Sequence, residues 1–277
     1  DLGLDVLLVE DNGVNQEVGI GMLEALGCRA TVAGDGLEAL QALAGRRFDA
    51  VLMDCQMPVL DGFEATRRLR RREGAAGGDA AHTPVIALTA NALSGDRQRC
   101  LDAGMDDFLP KPYTRAQLRQ CLQRATRTAG TPAAAGATPT AASGPLDARV
   151  LDELAAAATR TVAARIVGRY LDECGPRLAS LEAATDLAAL EHEAHRLRSS
   201  TLALGGGQLA RAAGVVESAA RSGDANGARA GIPAVAAELG LLRSALQDWL
   251  RAHDDPPPVA GADVAGAAAG AAAGPAR

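Results

Sequence analysis

The chain is 277 residues long, 48% hydrophobic but only 2% aromatic, and carries a formal net charge of -6. That length has room for about two ordinary domains, with cores built from Ala, Leu and Val, a composition that favours close-packed helices. The acidic balance argues against a nucleic-acid partner, because no basic stripe could neutralise phosphates. The one dense basic run, RRLRRRE at 67–73, alternates with an apolar helical stripe and reads as a solvated helix face. Cys28, Cys55, Cys100, Cys121 and Cys174 form no CxxC pair, which fits a reducing compartment and no cysteine metal site. No apolar run approaches the ~20 residues of a membrane span, and no signal peptide is visible. The sequence opens on Asp1 and is read as a piece of something longer.

In chain order, DVLLV (5–9) is an apolar strand run, followed by a helical pattern from 13 to 26. CRATVA is a second strand, and GLEALQALA a helix. FDAVLMD (48–54) is a third strand, followed by the helix GFEATRRLRRR. TPVIALT (83–89) is a fourth, with a helix running to Ala103. A short fifth strand lies in DDFLPKP, and TRAQLRQCLQRAT closes the block as a helix. Apolar strands separated by amphipathic helices predict a parallel sheet covered on both faces, a doubly wound α/β domain over 1–127. Residues 128–145 are small, uncharged and rich in Pro and Gly, and read as a flexible linker. Residues 146–253 contain no strand signal. Four or five helices are expected there, separated at CGP (174–176), GGG (205–207) and 223–231, forming a helical bundle. Residues 254–277 lack the bulk for a core and read as a disordered tail.

In open α/β sheets ligands bind at the carboxyl ends of the strands. The first strand ends in Glu10-Asp11, the third in Asp54, the fourth in Thr89-Ala90, and the fifth near Lys111. Three carboxylates together repel unless a cation or proton intervenes. Oxygen ligands of this kind suit Mg²⁺, and a nearby ammonium and hydroxyl would hold phosphate oxygens. The set describes a site where one carboxylate attacks a phosphoryl group. Asp61-Gly62 reads as the turn that starts the third helix, and Asn91 as a helix cap.

VLLVEDNGVNQEV, DAVLMDCQMPVLDG, PVIALTA and FLPKP, in this order, resemble the receiver domain of two-component signalling. The resemblance covers the whole first block and implies the flavodoxin-like (βα)5 fold. It makes Asp54 the phosphoacceptor, with Mg²⁺ held by Glu10, Asp11, Asp54 and the backbone carbonyl of Gln56. Thr89 and Lys111 would contact the phosphoryl group, supported by Ala90. Thr89 and Phe108 would be the switch pair, although Phe108 serves equally well as a core aromatic. The Lys111-Pro112 bond is expected to be cis, aiming the lysine inward.

The second block holds EHEAHRLRSSTLAL at 191–204. On a helix from about 185 to 204, Leu187, Leu190, Ala194, Leu197, Thr201 and Leu204 recur at steps of three and four and form the core face. His192, His195, Ser199 and Leu202 fall on a different, outward face, so both histidines are expected to be exposed. A neutral imidazole can attack a phosphoryl group, and Arg198, one turn on, could pair with the product. Helix physics alone favours a plain solvated surface and does not choose between the two histidines.

AHRLRSSTLALGG is similar to the motif of histidine-phosphotransfer (HPt) domains: His, any residue, Leu, Lys, Gly, two small residues, then Leu-Gly. The resemblance puts His195 at the phosphohistidine position, gives Arg198 a phosphate-binding role, and leaves His192 a surface residue. Arg198 replaces the usual lysine, and Ser199 the usual glycine, adding bulk where a receiver approaches. Together the two resemblances imply the C-terminal part of a hybrid sensor histidine kinase. Phosphate would pass from a kinase phosphohistidine to Asp54, then to His195, then to the Asp of a response regulator. The kinase core, through which the parent could dimerise, and any inner-membrane anchor would precede Asp1, leaving this part cytoplasmic. The rival reading is a non-catalytic interaction module with a silent His195. The linker, about 17 residues, would span roughly 23 Å, so transfer within one chain is feasible, and transfer between chains stays open.

Overall fold

The computed structural model describes residues 1–75, 82–89, 94–127, 144–157 and 159–253. Ala90, Asn91, linker residues 128–143 and the tail 254–277 lie outside the described residues. The first block alternates β1 (Asp5–Val9), α1 (Gly13–Glu24), β2 (Arg29–Ala33), α2 (Gly36–Gly45), β3 (Ala50–Asp54), α3 (Gly62–Ala75), β4 (Val85–Thr89), α4 (Ser94–Asp102), β5 (Asp107–Pro110) and α5 (Arg115–Arg127). The strands pair in parallel in the order β2-β1-β3-β4-β5.

Side-chain alternation along each strand builds two cores. Val6, Leu8, Leu52, Ile86 and Leu88 pack on one face with Val14 and Val18 of α1 and Leu118 and Leu122 of α5. Leu7, Val9, Val51, Met53 and Val85 pack on the other with Leu40, Phe63, Leu69 and Cys100. With both faces covered, β3 and β4 are buried along their whole length and apolar up to Asp54 and Thr89 at their ends. All five cysteines are free and buried. In the basic run, Arg67, Arg68 and Arg71 lie at the surface on Glu64. Arg70 instead turns inward, donating to Asp106 and to the carbonyls of Thr83 and Gly104.

The second block is five helices: α6 (Ala148–Ala157), α7 (Arg160–Ala183), α8 (Leu187–Ala203), α9 (Gly207–Arg221) and α10 (Ala225–His253). Helices α7 to α10 each pack on the next, α10 closes back on α7, and α6 lies on α7. This is a four-helix bundle with one added helix. Two expected breaks are corrected. The CGP run lies inside α7, where Pro176 is carried by a helix whose Tyr170, Cys174 and Leu181 are buried. Burial of that face outweighs the one backbone hydrogen bond that proline forgoes. The 223–231 region breaks only at Gly223-Asp224, and α10 continues through Pro233. The helix expected from about 185 to 204 is α8, and Asp186 caps it by accepting from the Ala189 N–H. The expected GGG turn is present: Gly205 has φ +84°, and a Cβ there would meet the Asp147 carbonyl at 2.6 Å.

The two domains are in contact. Helix α1 packs on α6, α7 and α8, and one apolar cluster runs from the receiver-side core through Leu151, Ile166 and Val167 into the bundle.

Candidate functional site

The carboxyl edge of the sheet brings Glu10, Asp11, Asp54 and Lys111 together. Lys111 Nζ donates to Glu10 Oε2 at 2.6 Å and to Asp54 Oδ2 at 2.7 Å, with all three side chains buried. Lys111 follows β5 directly, and its backbone N–H donates to the Thr89 carbonyl; the Lys111-Pro112 bond is cis, as expected. Thr89 ends β4, buried. Gln56 presents its backbone N–H to Asp54 Oδ1 at 3.2 Å. Asp61 Oδ1 caps α3 through the Glu64 N–H, and Gly62 lets that helix start against the site. A Cβ on Gly62 would lie 2.1 Å from the Asp54 carbonyl oxygen, so no other residue fits there. Phe108 is half-buried against the second core, with the Arg97 guanidinium 5.7 Å from its ring centre.

Electrostatics separate the three carboxylates. Burial pushes Glu10 up to about 8, with Asp54 adding to the rise and Lys111 opposing it. Burial and then Asp54 also raise Asp11. Burial acts in the same sense on Asp54, but Lys111, His195 and the Gln56 N–H outweigh it and hold Asp54 below the usual carboxylate range. Of the three, Asp54 is the one whose surroundings favour the carboxylate over the acid. Ligand oxygens of Glu10, Asp11 and Asp54 lie within 4.8 Å of one another, and the buried Asp11 Oδ2 has no hydrogen-bond partner. Crowded, buried, under-satisfied carboxylates are a donor set that fits a hard divalent cation.

The HPt-like helix α8 meets this pocket. Asn15 Nδ2 donates to Ser199 Oγ at 2.7 Å and to Glu10 Oε1 at 2.9 Å, and Lys111 Nζ lies 3.4 Å from Ser199 Oγ. Asn12 caps α1 with its side-chain oxygen and donates through Nδ2 to the Arg196 carbonyl. Arg196 Nε sits 3.3 Å from Asp11 Oδ2. His195, one turn before Ser199, is near enough to be among the groups that lower Asp54.

The expected exposure of His195 is corrected: it is 6% exposed. Its ring meets Glu217 of α9, and the same helix meets the first domain one turn on, where Ser199 bonds Asn15. His192, expected at the surface, is half-buried and close enough to act on Asp11. Glu217, which no motif marks, joins the site. This carboxylate accepts from His195 Nδ1 at 3.1 Å, Arg198 Nη1 at 2.9 Å and Arg221 Nη2 at 2.7 Å. Arg198 thus reaches the histidine's partner. Glu217 shares the buried face of α9 with Ala210, Ala213 and Ala220, and a charge inside that apolar stripe was the available signal.

Residues 6–123 match the family of response regulator receiver domains, and residues 165–251 match the Hpt domain family. The chain is a receiver domain followed by an HPt domain. Both are modules of two-component phosphorelays, and the curated relatives that match the receiver region are histidine kinases, hybrid ones among them. Histidine kinase 5 of Arabidopsis thaliana is 39% identical over 140 residues, 43% of this chain and 15% of that protein. Hybrid signal transduction histidine kinase K of Dictyostelium discoideum is 39% identical over 122 residues, 43% of this chain and 10% of that protein. The chain therefore matches only a small part of either relative's length. Among solved structures, the receiver domain of a Pseudomonas aeruginosa sensor histidine kinase, with magnesium coordinated in its active-site cleft, is 51% identical. That match covers 46% of this chain and 99% of that one, at a TM-score of 0.41. Among the described residues of the receiver–HPt chain, no helix is long and apolar enough to cross a membrane.

Glu217 sets the histidine's tautomer. His195 and Arg198 overcome burial and bring its carboxyl down to about 2, so near neutrality it can only accept. Nδ1 of a neutral His195 must then carry the proton, which leaves the lone pair on Nε2. Glu217→Gln is expected to slow phosphoryl exchange at His195 on the order of 10- to 100-fold, the usual cost of losing a group that orients a histidine. Stability should respond to pH as well. Glu217 stabilises the fold fully above about 4.5, and that contribution disappears as pH falls toward 2. The depression corresponds to about 3 kcal/mol. Urea denaturation at pH 7 and pH 3 checks this: the gap between the native chain and Glu217→Gln should narrow in acid.

Proposed function

We propose that Asp54 accepts a phosphoryl group from the phosphohistidine of an upstream kinase and that His195 carries it on to a response-regulator aspartate. The observation that carries this reading is the pairing of an ionised Asp54 with a histidine whose Nδ1 is held by Glu217. In the step between them, the His195 Nε2 lone pair forms a P–N bond as the P–O bond to Asp54 breaks. The bonding electrons return to Asp54 as a carboxylate, and the Nδ1 proton stays on the ring, facing Glu217.

Lys111 and the Thr89 hydroxyl hold phosphoryl oxygens, with the backbone at Ala90 as further support, and Arg198 meets charge arriving on the histidine. Thr89 and Phe108 report the phosphorylated state. Glu10, Asp11, Asp54 and the Gln56 carbonyl would hold Mg²⁺. When bound, that ion would offset the charge of the phosphoryl oxygens and of the clustered carboxylates. The site is supplied and drained by other proteins, a kinase before it and a response regulator after it. The parent chain would be a cytoplasmic-facing hybrid kinase that dimerises through its kinase core.

His195→Gln tests the relay. With labelled acetyl phosphate and Mg²⁺, the variant should still take label on Asp54 but pass none to a purified response regulator. Undiminished transfer would leave His195 silent and the chain an interaction module.

A further inference from the structure

We infer that this HPt domain is keyed to the receiver of its own chain, so that the Asp54–His195 exchange runs within one molecule. The inference rests on the function proposed above and adds the partner and the residues that select it. Ser199 stands where related domains usually carry glycine, and its hydroxyl accepts from Asn15 at 2.7 Å while lying 3.4 Å from the Lys111 ammonium. A glycine could make neither contact. Ser199 is 3% exposed, and the bond it shares with Asn15 is sealed from water.

Around this centre lie three ion pairs between oppositely charged side chains. Glu17 on α1 meets two arginines one turn apart on α7, Arg165 at 3.3 Å and Arg169 at 2.7 Å. Arg196 faces Asp11. Glu17 and Asp11 of the receiver thus each meet an HPt arginine. Exposed pairs of this kind contribute little affinity but discriminate against wrong partners, because like charges there are strongly unfavourable. Beneath them, Val14, Val18 and Met22 share one apolar cluster with Leu151, Ile166 and Val167. The serine in place of glycine is therefore a specificity-determining residue whose receiver-side partner, Asn15, is present in the same chain.

The experiment follows label from acetyl phosphate with Mg²⁺ onto Asp54 and then His195 in the whole chain. An intramolecular step has a rate independent of protein concentration, and a mixture of Asp54→Asn chains with His195→Gln chains should leave His195 unlabelled. Glu17→Arg should slow arrival at His195 on the order of tenfold or more while leaving Asp54 labelling unchanged. Adding Arg165→Glu and Arg169→Glu to that variant should restore the rate. A rate proportional to concentration, or a mixture that transfers as fast as the native chain, would overturn the inference and leave the relay standing. Failure of Asp54 in the native chain to take label, or of label ever to reach His195, would instead overturn the proposed function.

Discussion

Asp54→Asn is expected to abolish phosphoryl acceptance, with label falling at least about 10³-fold, because an amide cannot serve as the attacking oxygen. Thr89, Lys111, Glu10 and Asp11 remain, so residual acceptance at the native rate would place the nucleophile elsewhere. The same substitution reads out the electrostatics of the pocket. Asp54 is one of the groups that raise Glu10, which stands at about 8. With Asp54 replaced, Glu10 loses that like-charged neighbour and its carboxyl should titrate lower. Carbon-13 carboxyl spectra across the pH range, without Mg²⁺, would follow it directly.

Lys111→Met should cost stability, about 3–5 kcal/mol, the usual cost of removing one partner from a buried ionic cluster. The ammonium is 7% exposed and touches two carboxylates exposed by 2% and 4%. Burial lowers Lys111, but Asp54 and Glu10 reverse the effect and hold it above its ordinary value, so it is charged at every physiological pH. The two carboxylates respond to pH in opposite senses. Asp54 is lowered, so its contribution is present above about 3.8 and disappears as pH falls through its folded value. Glu10 is raised, so its contribution is full below about 4.5 and is lost as pH rises through about 8. Without the lysine both carboxyls shift upward. The deficit of Lys111→Met should be largest at neutral to alkaline pH and smaller in acid, where protons neutralise the cluster. Added Mg²⁺ should also shrink it, since a divalent cation can replace the missing charge among Glu10, Asp11 and Asp54. Denaturant titrations at pH 5 and 8, with and without Mg²⁺, test both statements. Equal loss under all four conditions would mean that Lys111 acts by packing alone.

The receiver site was legible because a parallel sheet gathers its strand ends at one edge. Glu10, Asp54, Thr89 and Lys111 each sit where a strand run stops, so finding the runs located the pocket. The HPt site was legible only in part. Motif spacing chose His195 over His192, while helical phasing placed it on an outward face without revealing that its own receiver would cover that face. Glu217 lies 22 residues from His195 on the next helix, and only the bundle's packing joins them. The contacts of Glu17 with Arg165 and Arg169, and of Asn15 with Ser199, span about 150 to 184 residues and leave no local pattern. Pro176 signals a break because proline propensity is a local quantity, whereas the buried face of α7 is set by its neighbours.

A histidine seated in its own receiver has no face left for a second one. In the relay proposed above, loading and unloading of His195 would alternate in time, and each downstream delivery would wait for the domains to part. Output would then approach a ceiling as regulator is added, fixed by the lifetime of the contact between α1 and α8. Signal strength in such a relay would be metered by a first-order constant set at one internal interface.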